Sequence, residues 1–141
     1  MAYRIKKTSN PKKATAWRNF SKMIRIRDAI ETTGTTTHVR CITCGKTYPI
    51  EKTDAGHALP GRTNAILFDE ELCFAQCRIC NRNNGGEQMA YKMVLTARHG
   101  PDWWELKESH KRECVHYTDL DYEQLSRLFR EQTKKMLGGL K

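Results

Sequence analysis

The sequence predicts an α+β protein, a small cysteine-stapled core of short strands and loops flanked by N- and C-terminal helices. Three observations predict it. Apolar residues recur at helical spacing only towards the two ends of the chain. The middle lacks that period and is punctuated by Gly45, Pro49, Gly56, Pro60 and Gly61. Two C-x-x-C pairs bracket this irregular middle, which could not hold itself together by apolar burial alone.

The first helix is expected over residues 11–31. Asn10 and Pro11 read as its N-cap and first position, and Trp17, Phe20, Met23, Ile24 and Ile30 recur at its spacing. The run Thr32-Thr33-Gly34-Thr35-Thr36-Thr37 should then break it as loop or strand. From His38 to Asn84 short strands and loops are expected. Helical spacing returns from Glu87 to Arg98, with Met89, Met93, Val94 and Ala97 as the apolar side and Gly100-Pro101 as the stop. Asp102 is expected to cap a short helix beginning at Trp103-Trp104. Thr118 or Asp119 should cap a last helix with Leu125, Leu128, Phe129 and Met136 on one side, ending at Gly138-Gly139.

The 141 residues suit one domain, divided into a basic arm and helix at 1–36, the stapled core at 37–99 and the C-terminal helices at 100–141. No apolar run approaches the ~20 residues of a membrane helix, and the basic opening is followed by no apolar stretch, so a cytoplasmic protein with no membrane partner is expected. Lys plus Arg number 25 against 16 Asp plus Glu, a net charge of +9 that is the footprint of a nucleic-acid binder. Residues 1–30 hold Arg4, Lys6, Lys7, Lys12, Lys13, Arg18, Lys22, Arg25 and Arg27 against Asp28 alone. This segment is expected to contact phosphates, the plainer alternative being a solvated helix face.

Six cysteines in a chain without an export signal point to metal binding, because the cytosol keeps thiols reduced. Cys41, Cys44, Cys77 and Cys80 form two pairs separated by 32 residues, and four such thiolates suit a closed, structural zinc site. Gly45 and Asn81, which follow the pairs, are residues that readily take positive φ, as a tight knuckle requires. Cys73 and Cys114 are left as small buried thiols.

Asp54-Ala55-Gly56-His57 lies between the pairs and Asn81 directly follows the last cysteine, so the staple should gather these groups. Hydrolysing a phosphodiester needs a base for water, which neutral imidazole supplies near pH 7. It also needs a cation on the phosphate. Mg²⁺ or Mn²⁺ would take the oxygen ligands that Asp54 and Asn81 offer.

Arg25-Ile-Arg-Asp-Ala29, Cys41-Ile-Thr-Cys44-Gly45, Ala55-Gly-His57, Phe68-Asp69, Gln76-Cys77-Arg-Ile-Cys80-Asn81, Gly86, Tyr91 and Trp103-Trp104-Glu-Leu106 follow one another over residues 17–137. In this ordered set the chain resembles the HNH (His-metal) nucleases, and more closely the Rap/NinG family of lambdoid phage recombination endonucleases. The zinc and Asn arrangement is similar to endonuclease VII type resolvases. The resemblance implies a ββα-metal (HNH) core and a metal-dependent DNA endonuclease, structure-selective on branched intermediates such as Holliday junctions or D-loops, working in a host-cell cytoplasm. It makes His57 the base, Asn81 a metal ligand and the four paired cysteines the zinc ligands.

The chain departs from the pattern at several positions. Gly56 precedes His57 where the pattern has Asp, so Asp54 is assigned as the metal-binding carboxylate by reach. Leu72 stands where many HNH proteins carry an Asn that braces the His loop, and Asn84 stands where the family often has Lys. Asn64 could brace the loop instead, and Glu87 could add a metal ligand. Two other functions stand as alternatives: a non-catalytic zinc-ribbon DNA-binding module, which would need the cysteines but has no use for Asp54, His57 and Asn81, and a non-specific HNH nuclease. A homodimer would supply the two cuts that a four-way junction needs. Trp17, Phe20, Ile24, Leu125, Leu128 and Phe129 would form either its interface or one chain's core.

Overall fold

Asn10 opens the first helix as its position suggests, its side-chain oxygen accepting from the Lys12 N–H with Pro11 at the first helical turn. A computed structural model describes residues 10–139. Arg4, Lys6 and Lys7 of the expected phosphate-contacting segment lie outside these. Helix α1 spans Pro11–Thr33, two residues beyond the expected end. The Thr32 and Thr33 hydroxyls donate to the carbonyls of Asp28 and Ala29, so these threonines satisfy the last turn instead of breaking it. Gly34, at φ 70°, then ends the helix by returning its N–H to the Ile30 carbonyl.

The irregular middle holds two antiparallel strand pairs. Strands β1 (His38–Arg40) and β2 (Thr47–Pro49) form a small hairpin, and β3 (Thr53–His57) pairs with β4 (Cys73–Cys77) in the register Asp54 to Gln76 and His57 to Cys73. The expectation of strands and loops alone needs correcting. A 3₁₀ turn at Ile50–Lys52, a short helix α2 at Asn64–Leu67 and a π-helical turn at Ile79–Asn83 interrupt the middle, all too short to show a helical period.

Helices α3 (Gln88–His99), α4 (Pro101–Lys111) and α5 (Asp119–Gly138) follow. The expected apolar side of α3 is wrong. Met89 and Met93 are 78% and 68% exposed, while Tyr91 and Leu95, an i, i+4 pair on another face, are fully buried. Apolar residues on two faces give the spacing of a helix without its phase. Asp102 does not cap α4, because Pro101 already takes the first helical position and Gly100 precedes it. Thr118 caps α5 through a capping box with Asp121.

Two apolar clusters hold these elements. Tyr91, Leu95 and Trp104 close over Ile66 and Leu72, while Phe20, Ile24 and Phe129 join α1 and α5 over Ala55 and Cys73. Phe20, Ile24 and Phe129 are therefore core residues of one chain, with Trp17 and Leu125 packed against them. Leu128 is instead 46% exposed. The motif Arg27-Asp28 fixes α1 to the edge of β4: the buried Asp28 carboxylate accepts from the Ala75 N–H at 2.7 Å and from Arg27, whose Nη2 donates to the Cys73 carbonyl.

Helices α1 and α5 run parallel. Asn10 meets Asp119, Lys12 meets Glu123, and further along Lys22 lies beside Arg130 and Lys134. Their positive dipole ends lie together, and Asp119 and Asp121 in the first turn of α5 offset that. Among the described residues no helix is long and apolar enough to cross a membrane.

Candidate functional site

The β1–β2 hairpin carries Cys41 and Cys44 in its turn, where Gly45 at φ 74° lets its N–H return to the Cys41 carbonyl. Cys77 ends β4 and Cys80 lies on the π-helical turn, its N–H donating to Cys77 Sγ. Helical backbone closes this second knuckle, so Asn81 does not take the positive φ its position suggested. The four sulfurs lie within 4.8 Å of one another, and Cys44 Sγ is 4.0 Å from Cys77 Sγ. Four ligands about 2.3 Å from one zinc ion would stand roughly 3.8 Å apart, so this cluster could hold a zinc ion with little movement. Its electrostatics suit a cation. Although burial opposes ionisation, hydrogen bonds from Thr43 and nearby backbone N–H groups bring the Cys41 thiol down to about 6. Burial pushes the Cys80 thiol up to about 12. Without an ion, one sulfur's charge suppresses its neighbour's. Cys73 is fully buried as expected, whereas Cys114 is exposed beyond the end of α4, with its sulfur 3.5 Å from His116 Nε2.

Beside the cluster lies a cleft of about 250 Å³ lined by Trp17, Ser21, Asp54, Ala55, His57, Arg62, Asn81 and Arg82. His57 ends β3, and its Nε2 is 3.0 Å from the Leu67 carbonyl. A carbonyl can only accept, so Nε2 carries the hydrogen and Nδ1 keeps the lone pair. Burial lowers the pKa of His57 below the ordinary histidine value, and the Arg62 charge adds to this against the Leu67 carbonyl, which favours the charged ring. Asp54, earlier on β3, accepts from Asn81 Nδ2 at 3.0 Å and from Arg82 through both oxygens at 2.9 Å. Burial opposes its ionisation, but Arg82 and Asn81 outweigh it and hold the carboxyl below its usual value.

Gly56 leaves room for no side chain unless its neighbours shift. A Cβ there would overlap Gln76 Oε1 and come within 3.0 Å of Asn81 Oδ1. No aspartate can therefore precede His57 without displacing the side chains behind the cleft. Gln76 is fully buried, and its amide donates to Thr43 of the first knuckle and to the Gly86 carbonyl, joining the cysteine cluster to the floor of the cleft.

The profile of the Bacteriophage Lambda NinG protein family matches residues 2–137. The chain belongs to the NinG family. The NinG proteins of Salmonella phage P22 and Escherichia phage 933W are 36% and 35% identical to it over 77 residues, which are 51% of this chain and 36% of each relative. The chain thus spans about a third of the length of the curated relatives it matches. No solved structure matches it.

The family match takes in the cysteine cluster and every residue of the cleft. Asp54, His57 and Asn81 share this cleft, as their positions in the NinG sequence suggested. Asn64, offered as a brace for the His loop, donates its amide to the Val115 carbonyl and accepts from Lys13. The His57 ring is held by the Leu67 carbonyl and by stacking on Trp17, with centroids 5.1 Å apart. Glu87, at φ 50°, stands before α3 and is not among the cleft-lining residues. Sequence reasoning missed Arg62 and Arg82 as cleft residues and read Trp17 only as part of an apolar stripe. Arg82 directly follows Asn81, which was a local signal; Trp17 and Arg62 offered none.

Proposed function

We propose that this NinG-family protein is a metal-dependent DNA endonuclease of the HNH type, structure-selective on branched recombination intermediates. One observation carries the reading: a small cleft holds an imidazole with a free Nδ1 lone pair beside a carboxylate and an amide already within hydrogen-bond reach of each other. The order β3, β4, helical turn, with His57 on the first and Asn81 on the last, is the order a ββα-metal core requires.

The donor set fits a hard divalent cation. One carboxylate and one amide carbonyl in a cleft of about 250 Å³ leave space for the several waters that Mg²⁺ keeps. Such an ion, bound by Asp54 and Asn81, would neutralise charge on the phosphate and the leaving oxygen. For that, Arg82 must release Asp54. His57 Nδ1 would take the proton of the attacking water, and the Leu67 carbonyl would steady the imidazolium through Nε2–H. The four-cysteine zinc cluster would hold β4 and the π-helical turn, and so Gln76 and Asn81, at the base of the cleft.

The deciding experiment incubates purified protein with linear duplex, flap and four-way DNA, with Mg²⁺ or EDTA, beside His57→Ala. Cleavage of branched DNA that needs both the cation and His57 is expected. Binding without cleavage under any divalent ion would replace this reading with the zinc-ribbon DNA-binding module. Equal cleavage of all three DNAs would leave a non-specific nuclease.

A further inference from the structure

Two arginines line the cleft, and they are differently committed. Arg82 places Nε and Nη2 on the Asp54 carboxylate. Arg62, in the loop between β3 and α2, is exposed and makes no ion pair among the described residues. Its φ is 46°, directly after Gly61 at φ 100°. Side chains other than glycine rarely adopt that conformation, and such strain gathers at ligand clamps, where the surroundings impose it. The Arg62 side chain is held by Trp17, with its guanidinium carbon 4.5 Å from the indole centre. His57 stacks on that same indole. Helix α1 thus supports a free cation and the imidazole on one aromatic platform at the mouth of the cleft.

An exposed guanidinium beside a neutral imidazole lacks an anion. No ion pair among the described residues occupies its planar N–H edge, and that edge matches two non-bridging oxygens of a phosphate, a geometry that lysine cannot offer. We propose that Arg62 is the phosphate-binding arginine of the cleft, gripping the phosphodiester that the His57-activated water attacks. The proposal rests on the nuclease reading above. In that reaction the water oxygen bonds to phosphorus as its proton passes to His57 Nδ1. The bond from phosphorus to the leaving sugar oxygen breaks, and that oxygen takes a proton from solvent. Arg62 holds the non-bridging oxygens on which charge grows.

The test is Arg62→Gly, which removes the guanidinium and suits the left-handed backbone, with Arg62→Lys beside it. The glycine variant should melt at or above the wild-type temperature. Its single-turnover hydrolysis of a nitrophenyl phosphodiester with Mn²⁺ should fall roughly 10²–10³-fold, the usual loss when one transition-state donor is removed. Lysine should restore only part. Wild-type turnover in Arg62→Gly overturns the proposal, as does a loss of turnover that comes only with a large fall in melting temperature. A second arm needs no cleavage: inorganic phosphate is titrated while the Trp17 indole N–H resonance is followed. A response in wild type that is absent from Arg62→Gly supports Arg62 even if no substrate is cut, in which case the nuclease reading alone fails. Equal responses overturn Arg62.

Discussion

The indole of Trp17 lies stacked on the imidazole of His57, with ring planes 22° apart. A helix distant in sequence from the strand pair thereby covers the ring proposed as the base, and this cover contributes to the burial that lowers its pKa.

If His57 is the base proposed above, cleavage would need it unprotonated, so the rate should rise with pH through a midpoint below the ordinary histidine value of 6.5 and stay level to neutrality. Trp17→Ala uncovers the ring and makes the charged form less unfavourable, which should move the midpoint upward. His57→Ala should fold normally and lose roughly 10²–10⁴-fold in rate. Profiles of kcat/KM against pH for the three proteins check both statements; a midpoint unmoved in Trp17→Ala removes the stack from the argument.

Gly56→Ala should destabilise the protein by about 1–3 kcal/mol, as overfilling a packed site does, because its Cβ overlaps Gln76 Oε1. Adding Gln76→Ala should recover part of that loss. Urea denaturation of the single and double variants measures the coupling, and additive losses would mean that the two residues do not meet.

Zinc should be found at one equivalent per chain. Cys41→Ser or Cys80→Ser should unfold the segment from His38 to Asn84, since the energy of binding at such a site is also folding energy. Metal analysis and a melting curve with and without chelator decide it, and an unchanged midpoint after complete metal removal excludes the staple.

Both Asp54 oxygens are engaged by Arg82, so a cation binding there competes with the guanidinium. Arg82→Ala should tighten Mn²⁺ binding by roughly two- to fivefold, the modest share that a solvent-screened, exposed pair can withhold. Asp54→Ala and Asn81→Ala should both weaken it. A Mn²⁺ titration of the four proteins reads these directions, and weaker binding in Arg82→Ala would contradict the competition.

On α1 the lysines are unequally free. Lys12 pairs with Glu123 and Lys13 donates to Asn64, whereas Arg18 and Lys22 are exposed and Arg130 and Lys134 stand beside Lys22. Neutralising Arg18 or Lys22 should reduce the log–log salt slope of DNA binding by about 0.9 each, and neutralising Lys12 by less. Binding isotherms across salt concentrations test the ranking, and a Lys12 effect equal to that of Lys22 would refute it.

What the sequence made legible follows from how local each signal is. The two C-x-x-C pairs and the Asn10-Pro11 and Thr118 caps are written within a few residues, and each lies where it was read. Asp54, His57 and Asn81 could be grouped because the cysteines on either side had to converge. The phase of α3 could not be read, since Met89 and Met93 share the spacing of Tyr91 and Leu95, and only the tertiary neighbours choose between them. The Trp17 platform was hidden for the same reason. The spacing of α1 does not say which strand it will lie against; its Asp28 and Arg27 bond to β4, a partner visible only in the fold.

The parallel pairing of α1 with α5 has a consequence for the timing of synthesis. A ribosome delivers α1 well before α5, and Phe20 cannot pack on Phe129 until α5 has emerged. A nascent chain halted before Asp119 already carries the four cysteines, Asp54, His57 and Asn81, yet lacks the helix that seats α1, and with it the Trp17 wall of the cleft. The Trp17 wall of the cleft is thus completed only after α5 has been made, and a chain halted earlier holds the cleft residues without that wall.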